Sequence, residues 1–231
     1  MLYQLFNLML DALAGNANDY SSNGNNGLKN YNVTFVNSQY TRQFASSTLS
    51  TASFNGITTY SFVHAGNLPA ISSLSNWTVS FWMYPTIVAS YNNPFDANFN
   101  PSANNEGPRF EEVTGGQLTL IVGVSQPSYN LYVLTNSLTT DTWYHVVATR
   151  SGGSIKAYLN GEQILNRTDS LWPSGFGNVT VGRGYANSPE RWFNGRVADL
   201  QIYNASLTSY QVQQLYLQGL PIYKKLNVSL G

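Results

Sequence analysis

Residues 141–164, DTWYHVVATRSGGSIKAYLNGEQI, contain β-prone runs separated by a glycine turn and an Asn-Gly turn. The side chains of the first run divide between two faces, with Trp143, His145, Val147 and Thr149 on one and Tyr144, Val146 and Ala148 on the other. A strand that is largely apolar on both faces is typical of the interior of a layered β-structure. The segment therefore predicts a central strand of a sandwich, with other elements packed on both sides.

The rest of the chain repeats this β pattern. Residues 76–86, NWTVSFWMYPT, alternate strictly, and Pro85 is predicted to end their strand. An Asn-Gly pair inside residues 52–63 predicts a hairpin. Further strands are predicted at residues 1–15, 117–126, 129–136, 178–184 and 195–204, and those at 117–126 and 129–136 are expected to form a hairpin. Residues 1–15 have no basic region, so they are a poor match to a signal peptide.

Two segments depart from this pattern. One helix is predicted over residues 204–219, because Thr208 and Gln211 form a capping box and Gly219 is followed by Pro221. We expect this helix to pack on a sheet edge. Residues 90–116 contain three prolines and many asparagines, which predicts a long insertion loop rather than a central strand.

The composition excludes several classes of partner. Only 10% of residues are charged, Lys+Arg and Asp+Glu number 11 each, and the pI is near 6.7, so no basic field attracts nucleic acid or an anionic membrane. The absence of cysteine excludes disulfides and thiolate metal sites. No apolar run reaches the roughly 18 residues of a membrane span. The neutral hydrogen-bonding residues favour an extracellular or cell-surface location.

Several stretches together resemble the laminin-G-like jelly roll of the concanavalin A-like lectin and glucanase superfamily. They are, in chain order, GNANDYSSNGNNG (15–27), SFNGITTYSFV (53–63), WTVSFWMYPT (77–86), TWYHVVATRSGGSIKAYLNGEQI (142–164) and NGRVADLQIYNASLTSYQVQQLY (194–216). The resemblance implies an all-β jelly-roll sandwich of two antiparallel sheets with one short C-terminal helix. No linker-like composition divides these blocks, so residues 1–231 are expected to form one domain with a core at 6–219.

The resemblance does not fix the function, because the superfamily includes lectins, glycosidases, adhesion modules and structural domains. Its glycosidases place two carboxylates on one strand, commonly with Glu-x-Asp-x-Glu spacing, which this sequence lacks. Glu111 and Glu112 are adjacent, so they point to opposite faces of a strand. Asp96 and Glu106 are the remaining pair that can meet across a sugar. We therefore expect no enzyme activity, and a glycoside hydrolase is the least favoured function.

The histidines and two aspartates were considered as catalytic or metal-binding residues. His145 occupies a structural position of the family, and His64 stands alone on another strand. Asp19 and Asp199 resemble positions where related domains hold a structural calcium ion. The alternative is that Asp19 forms an Asx turn and that Asp199 is an edge residue bonded to backbone. We prefer this alternative, and so expect no cofactor.

Sugar binding requires aromatic platforms flanked by planar polar groups, and two segments offer them. The first set is Tyr91, Phe95, Asp96 and Asn98, and the second is Arg183, Tyr185, Asn187, Arg191 and Trp192. Aromatic residues make up 14% of the chain, so such segments also arise without a ligand. Six Asn-x-Ser/Thr sequons likewise match the number expected by chance in so Asn-rich a chain, and glycosylation is left open.

Two functions remain open at this point. The first is a non-enzymatic recognition or adhesion module that binds a glycan or a surface protein. The second is a subunit of an extracellular filament, pilus or surface layer that self-associates by strand addition, because residues 1–10 and 220–231 are both β-prone and apolar. The alternative for these ends, which we prefer, is that they pair with each other inside one sandwich.

Overall fold

The alternating runs form strands throughout the described part of the chain. The computed structural model describes residues 4–11, 16–19, 29–31, 34–41, 48–55, 62–66, 75–89, 91–97, 107–125, 128–169, 176–184 and 191–224. Within these ranges lie sixteen strands and one helix: β1 (Gln4–Asp11), β2 (Asn16–Asp19), β3 (Lys29–Tyr31), β4 (Thr34–Thr41), β5 (Thr48–Asn55), β6 (Phe62–Gly66), β7 (Asn76–Pro85), β8 (Asn92–Asp96), β9 (Arg109–Val113), β10 (Gln117–Ser125), β11 (Ser128–Thr135), β12 (Tyr144–Ser151), β13 (Ser154–Leu159), β14 (Glu162–Thr168), β15 (Val179–Val181), β16 (Asn194–Tyr203) and α1 (Ser209–Tyr223).

The strands form two antiparallel sheets. The nine-stranded sheet has the order β14-β13-β12-β7-β16-β1-β2, with β5 also paired to β16 and β4 paired to β5. The seven-stranded sheet has the order β11-β10-β9-β8-β15-β6-β3. The predicted two-sheet jelly-roll sandwich with one C-terminal helix is confirmed.

The core lies between the two sheets and is set by strand alternation. On β7, Trp77, Val79, Phe81 and Met83 are fully buried and face the seven-stranded sheet, as their spacing predicted. Phe81 contacts Phe110 of β9 edge to face, with ring centroids 5.1 Å apart. Each such side chain contributes about 1.5–3 kcal/mol by leaving water.

Helix α1 packs on the outer face of the nine-stranded sheet, so the predicted packing on a sheet edge is wrong. Tyr223 contacts Trp82 and Trp143, with centroid separations of 4.6 and 4.9 Å. The close approach depends on Gly219, because a Cβ there would lie 2.5 Å from Trp82 Nε1. We call this surface, formed by Trp82, Trp143, His145, Tyr216 and Tyr223, the helix-covered face.

The predicted start of the helix is confirmed, but its predicted end is wrong. Thr208 caps the helix, and Gln211 completes the capping box. The helix continues past Gly219 and through Pro221 to Tyr223. Burial of Tyr223 against the sheet offsets the local preference of proline to end a helix. The described part of the C-terminal segment is therefore helical, not β-stranded.

The two Asn-Gly pairs from which hairpin turns are predicted behave differently. Asn160 and Gly161 have φ angles of 53° and 81°, as a tight hairpin turn requires, and join β13 to β14. The hairpin predicted at residues 52–63 is wrong, because β5 belongs to the nine-stranded sheet and β6 to the seven-stranded one. A dipeptide signal reports local turn preference, whereas the choice of sheet is decided by packing. The hairpin of β10 and β11 is confirmed.

The prediction of a loop over residues 90–116 is wrong for residues 92–96 and 109–113, and residues 98–106 lie outside the described part of the chain. This segment contains β8 and β9, and both are interior strands of the seven-stranded sheet. The pairing of β8 with β9 shifts register between Asn92 and Phe95, and Pro94 lies at this irregularity. A bulge tolerates the missing N–H donor of proline, so the strand survives.

The N-terminal segment is a strand, as predicted, but its partner differs from the expected one. Strand β1 pairs with β16 on one side and β2 on the other, and the part of the C-terminal segment that the structure describes, up to residue 224, is not among its partners. Because both of its edges are occupied, the pairing gives no support to strand donation between subunits. Among the described residues, no helix is long and apolar enough to cross a membrane.

Candidate binding face

The register of β9 and β10 assigns each side chain to a face. Side chains that are directly opposed across two strands share a face. Phe110 is opposed by the core residue Leu120, so it points into the sandwich. Glu111 is opposed by Thr119 and therefore lies on the outer surface of the seven-stranded sheet.

This outer surface is lined by polar side chains, and we call it the polar face: Asn93, Asp96, Arg109, Glu111, Thr119 and Thr180. All six are buried. Arg109 Nε lies 3.4 Å from Glu111 Oε2, and Asn93 Nδ2 lies 3.5 Å from the same oxygen. Asn93 Nδ2 also donates to Phe110 O at 2.9 Å. These contacts compensate the desolvation of the charged groups.

Glu111 connects the polar face to an exposed ring. Its Oε2 accepts a hydrogen bond from Arg191 Nη1, and the Arg191 guanidinium lies 4.8 Å from the centroid of the Tyr91 ring. Tyr91 is 45% exposed. One carboxylate therefore contacts two guanidiniums, of which one is stacked on a solvent-facing aromatic platform.

A second stack lies at the β6 end of the same surface. The Arg183 guanidinium is 4.4 Å from the ring of Trp192 and 5.0 Å from the ring of Phe62. Phe62 shares the outer face with His64, because the intervening Val63 is a core residue. We call the two stacks together the aromatic rim: Phe62, Tyr91, Arg183, Arg191 and Trp192.

Backbone hydrogen bonds place both rim arginines on one short antiparallel ribbon. Gly184 N donates to Arg191 O at 2.9 Å, and Phe193 N donates to Gly182 O at 2.9 Å. Arg183 and Trp192 form an antiparallel bridge between these bonds. Gly182 N also donates to Pro94 O of β8 at 3.0 Å. Arg183 and Arg191 are therefore carried by a short ribbon that is fixed to the sheet.

Tyr91 is held in a left-handed conformation, with φ of 68°. Its N–H donates to Glu112 O at 2.9 Å. Asn92 Nδ2 donates to Glu112 Oε2 at 3.0 Å and to Ile87 O at 3.1 Å. Burial raises the pKa of Glu112 to about 8, so this carboxyl is protonated at neutral pH. The segment that carries the exposed Tyr91 ring is therefore held by a buried, neutral glutamic acid, Glu112.

Four of the predicted ligand-binding residues lie on the polar face or the aromatic rim, and one of the four is fully buried. Tyr91, Arg183 and Trp192 belong to the aromatic rim. Asp96 lies within β8 and has no exposed surface, so it is part of the polar face rather than of a loop. Phe95, in the same predicted set, points into the core. Asn98 and Tyr185 lie outside the described residues.

Sequence reasoning missed the supporting residues of this surface. The predicted loop over residues 90–116 includes Arg109 and Glu111, and a loop prediction does not assign side chains to a face of a sheet. The predicted hairpin over residues 52–63 gives Phe62 the wrong partner strand, so it does not indicate that this buried ring lies on the outer side of the seven-stranded sheet. The arginine at position 191 was noted, but nothing local indicates that it reaches Glu111, which lies 80 positions away in the chain.

The two candidate calcium ligands both lie on strands of the nine-stranded sheet. Asp19 is the last residue of β2 rather than a loop residue. Asp199 lies in the central strand β16, not at an edge, with φ of 50° at an irregularity of pairing, and its Oδ1 accepts from Gln201 Nε2 at 2.7 Å. Among the side chains that the structure describes, no group of three His, Cys, Asp or Glu is placed to hold a metal ion.

The candidate catalytic groups are separated. Glu111 faces outward and Glu112 faces inward on β9, so the pair cannot flank one glycosidic bond. Glu106 lies outside the described residues. His145 is buried on the helix-covered face, where its Nε2 is 2.9 Å from Ser80 Oγ. Burial lowers the pKa of His145 to about 3, as expected for a packed, neutral ring rather than a base.

A two-sheet jelly roll of this kind is the fold of a lectin-like binding domain. The model of the concanavalin A-like lectin/glucanases superfamily, of the laminin G type, matches residues 55–213, which is more than half of the chain. The chain belongs to this superfamily, which confirms the resemblance seen in the sequence. No curated protein matches the chain significantly.

Solved structures with the same fold include two toxin binding domains and one domain of an arabinanase. The binding domain of paraclostridial mosquitocidal protein 1 aligns with a TM-score of 0.70 at 17% identity, covering 93% of this chain and 52% of that one. Domain 4 of AbnA, a GH43 extracellular arabinanase from Geobacillus stearothermophilus, was solved in complex with arabinotriose. It aligns with a TM-score of 0.62 at 18% identity, and the alignment covers 93% of this chain and 98% of that one. The binding domain of botulinum neurotoxin DC, solved in complex with rat synaptotagmin II, aligns with a TM-score of 0.63 at 13% identity. This alignment covers 93% of this chain and 51% of that one.

This chain spans about half the length of the two toxin binding domains. By contrast, it matches nearly the whole of the arabinanase domain. At these identities the similarity concerns the fold.

Proposed function

We propose that this domain is a non-enzymatic recognition module that works outside the cell and binds a glycan at the aromatic rim. The observation that carries the proposal is the pairing of a solvent-facing tyrosine ring, Tyr91, with a planar guanidinium, Arg191, on the outer surface of a jelly-roll sheet. An exposed ring can stack on the apolar face of a pyranose, while the adjacent planar donors bond its hydroxyl groups.

The Tyr91 and Arg191 side chains of the rim are held in position in the absence of a ligand. Tyr91 is fixed by the Glu112 backbone, and Arg191 is fixed by Glu111 and by the ribbon. Groups that are already in place lose little conformational freedom on binding, which favours affinity. Binding also suits the superfamily fold, and one solved domain of similar size contains an arabinose oligosaccharide.

The proposal is tested by a glycan array probed with the wild-type domain and three variants. Tyr91→Ala removes the ring, Tyr91→Phe keeps it, and Tyr210→Ala removes a tyrosine on α1 that is 69% exposed. We expect Tyr91→Ala to weaken binding by at least about tenfold, because a stacked aromatic contributes roughly 1–3 kcal/mol. Tyr91→Phe and Tyr210→Ala should bind nearly as the wild type does.

Thermal unfolding of the same variants provides the control for folding. Since Tyr91 is half exposed, its removal should shift the midpoint little. Loss of glycan binding in Tyr210→Ala, with Tyr91→Ala unaffected, would move the site to the helix and contradict the proposal. Failure of the wild-type domain to bind any glycan, together with capture of a defined surface protein, would replace the glycan by a protein partner.

A further inference from the structure

We infer that two copies of this chain pair side by side through strand β11, antiparallel to each other and about a twofold axis. The observations that carry the inference are the position of β11 at the end of the seven-stranded sheet and two aliphatic side chains that it exposes there. The pairing is independent of glycan binding. It assigns an interaction surface to the domain and names its partner, a second copy of the chain.

Strand β11 is the last strand of its sheet. Among the strands that the structure describes, it forms a ladder with β10 alone. Alternate residues of an antiparallel strand direct their N–H and C=O groups to opposite sides, so half of these groups on β11 point away from β10. A second extended backbone offers the matching row of acceptors and donors, which makes such an edge a template for strand addition.

The outward-facing side chains of β11 are apolar. Leu131 is opposed by Ile121 and Val133 by Thr119, so both lie on the same outer surface of the sheet as Glu111. Leu131 is 46% exposed and Val133 is 43% exposed. A strand that pairs with β11 would cover part of both side chains, and the removal of aliphatic surface from water favours association.

The edge strands of the sandwich differ in the charges that they carry. Strand β14, at one end of the nine-stranded sheet, is exposed along most of its length and contains Glu162 and Arg167. Strand β2 ends with Asp19, and the short strand β3 begins with Lys29. Charges on an edge oppose pairing between sheets. Strand β11 spans eight residues without a charged side chain, so it lacks this protection.

Strand β4 is also an uncharged edge, but its pairing is less regular. It is in register with β5 from Thr34 to Asn37, at one end of the strand, and the register then shifts. Strand β11 is in register with β10 from Tyr129 to Val133, and its shifts lie towards the two ends. An irregular edge twists away from a partner strand. The regular middle of β11 therefore favours this strand over β4.

The sequence of β11 suits pairing with itself. Two identical antiparallel strands are related by a twofold axis, so every contact between them is made twice. With the axis at Tyr132, Leu131 of each strand lies directly opposite the partner's Val133 on the outer surface. Opposed aliphatic side chains stabilise a strand pair, and neither strand brings a like charge into the pairing.

The pairing has a consequence for the aromatic rim, and this consequence rests on the proposed function. The twofold axis of two antiparallel edges is perpendicular to the sheet, so both polar faces lie on the same side of the joined sheet. Seven steps of about 4.8 Å separate the two β8 strands, which places them roughly 30 Å apart. Each β8 follows a Tyr91, so the pair presents two rims to one glycan-bearing surface and gains avidity.

The test is sedimentation velocity of the purified chain over a series of concentrations. One double variant combines Leu131→Lys with Val133→Lys, and the other combines Leu131→Glu with Val133→Glu. We expect the wild type to dimerise and each double variant to raise the dissociation constant at least about tenfold, because like charges then oppose each other across the axis. An equimolar mixture of the two variants should dimerise again, since lysines then face glutamates, and this recovery also shows that both variants fold.

The matched controls place a lysine on other edge strands. Ile164→Lys changes an exposed residue of β14, and Val36→Lys changes β4. Both should dimerise as the wild type does. A wild-type chain that stays monomeric would overturn the inference, and so would a dimer that survives in both double variants or that one of the controls dissociates instead.

Glycan binding is measured separately on the same proteins. The wild type should remain longer than either double variant on a surface densely coated with the glycan that it binds, while all should bind the same soluble glycan equally. Failure of every protein to bind a glycan would overturn the proposed function and leave the pairing through β11 standing.

Discussion

The two outer surfaces of the sandwich use aromatic residues in opposite ways. On the helix-covered face, Tyr223 of α1 contacts Trp82 and Trp143 ring to ring, and all three side chains are buried. On the aromatic rim, Tyr91 and Trp192 contact arginines, and Tyr91 reaches solvent. Rings of the first kind stabilise the fold, while the exposed ring of Tyr91 is where we propose that a ligand binds. The location of an aromatic residue therefore tells more about its role than its abundance does.

The largest expected effect lies on the helix-covered face. Trp143→Ala should lower the free energy of unfolding by about 3–5 kcal/mol, because it leaves a large cavity under α1. Trp192→Ala, on the half-buried rim, should lower it by clearly less. Urea unfolding of both variants measures the difference, and the wild-type chain should unfold in one cooperative transition. A loss below about 1 kcal/mol for Trp143→Ala would contradict the assigned role of this face.

The fold was predictable from the sequence wherever a local pattern matched its packing. The alternation of β7 correctly predicted its buried residues, and Asn160-Gly161 correctly predicted a hairpin. The strands β8 and β9 were not predicted, because Pro94 and the asparagines around it suggest a loop. The bulge at Pro94 makes that strand possible, and a bulge is a property of the pairing rather than of the segment.

The candidate site was only partly predictable. Tyr91, Arg183 and Trp192 were selected because aromatic and planar polar residues occur together there. Their support by Glu111 depends on a contact with Arg191 across 80 positions of the chain. Sequence periodicity gives no information on contacts of that range. The helix end at Tyr223 was missed for a similar reason, since burial on the sheet decides it.

The next largest effect concerns Glu112, which anchors the Tyr91 segment. Its folded-state pKa of about 8 lies above the ordinary 4.5, so the folded protein retains a proton that the unfolded chain has lost. Stability should therefore decrease as the pH rises from about 5 through 8, by roughly 3 kcal/mol. Urea unfolding at a series of pH values measures this slope.

Glu112→Gln provides the control for the alkaline effect. Glutamine keeps an acceptor for Asn92 but has no proton to lose, so the slope above pH 5 should flatten. If the variant and the wild type show the same slope, another group is responsible and the assigned anchor is wrong.

An effect of similar size, at acid instead of alkaline pH, is expected for His145 on the helix-covered face. Burial holds its folded-state pKa at about 3, below the ordinary 6.5, so the unfolded chain gains a proton first as the pH falls. Stability should decrease between pH 6.5 and 3, by roughly 3–4 kcal/mol. NMR of the ring follows this directly: the His145 signals should stay constant from pH 8 down to about 4.5. Titration of His145 near pH 6.5 would show that α1 does not keep solvent away from the ring.

The most direct test of the central claim is hydrogen–deuterium exchange with and without the glycan that binds best on the array. The claim is that ligand binds at the aromatic rim and not at the helix-covered face. Binding should slow exchange at the amides of residues 91–96 and 182–193, and leave residues 209–223 unchanged, because a ligand protects the segments that it contacts. Protection confined to α1, with the rim segments unaffected, would contradict the account.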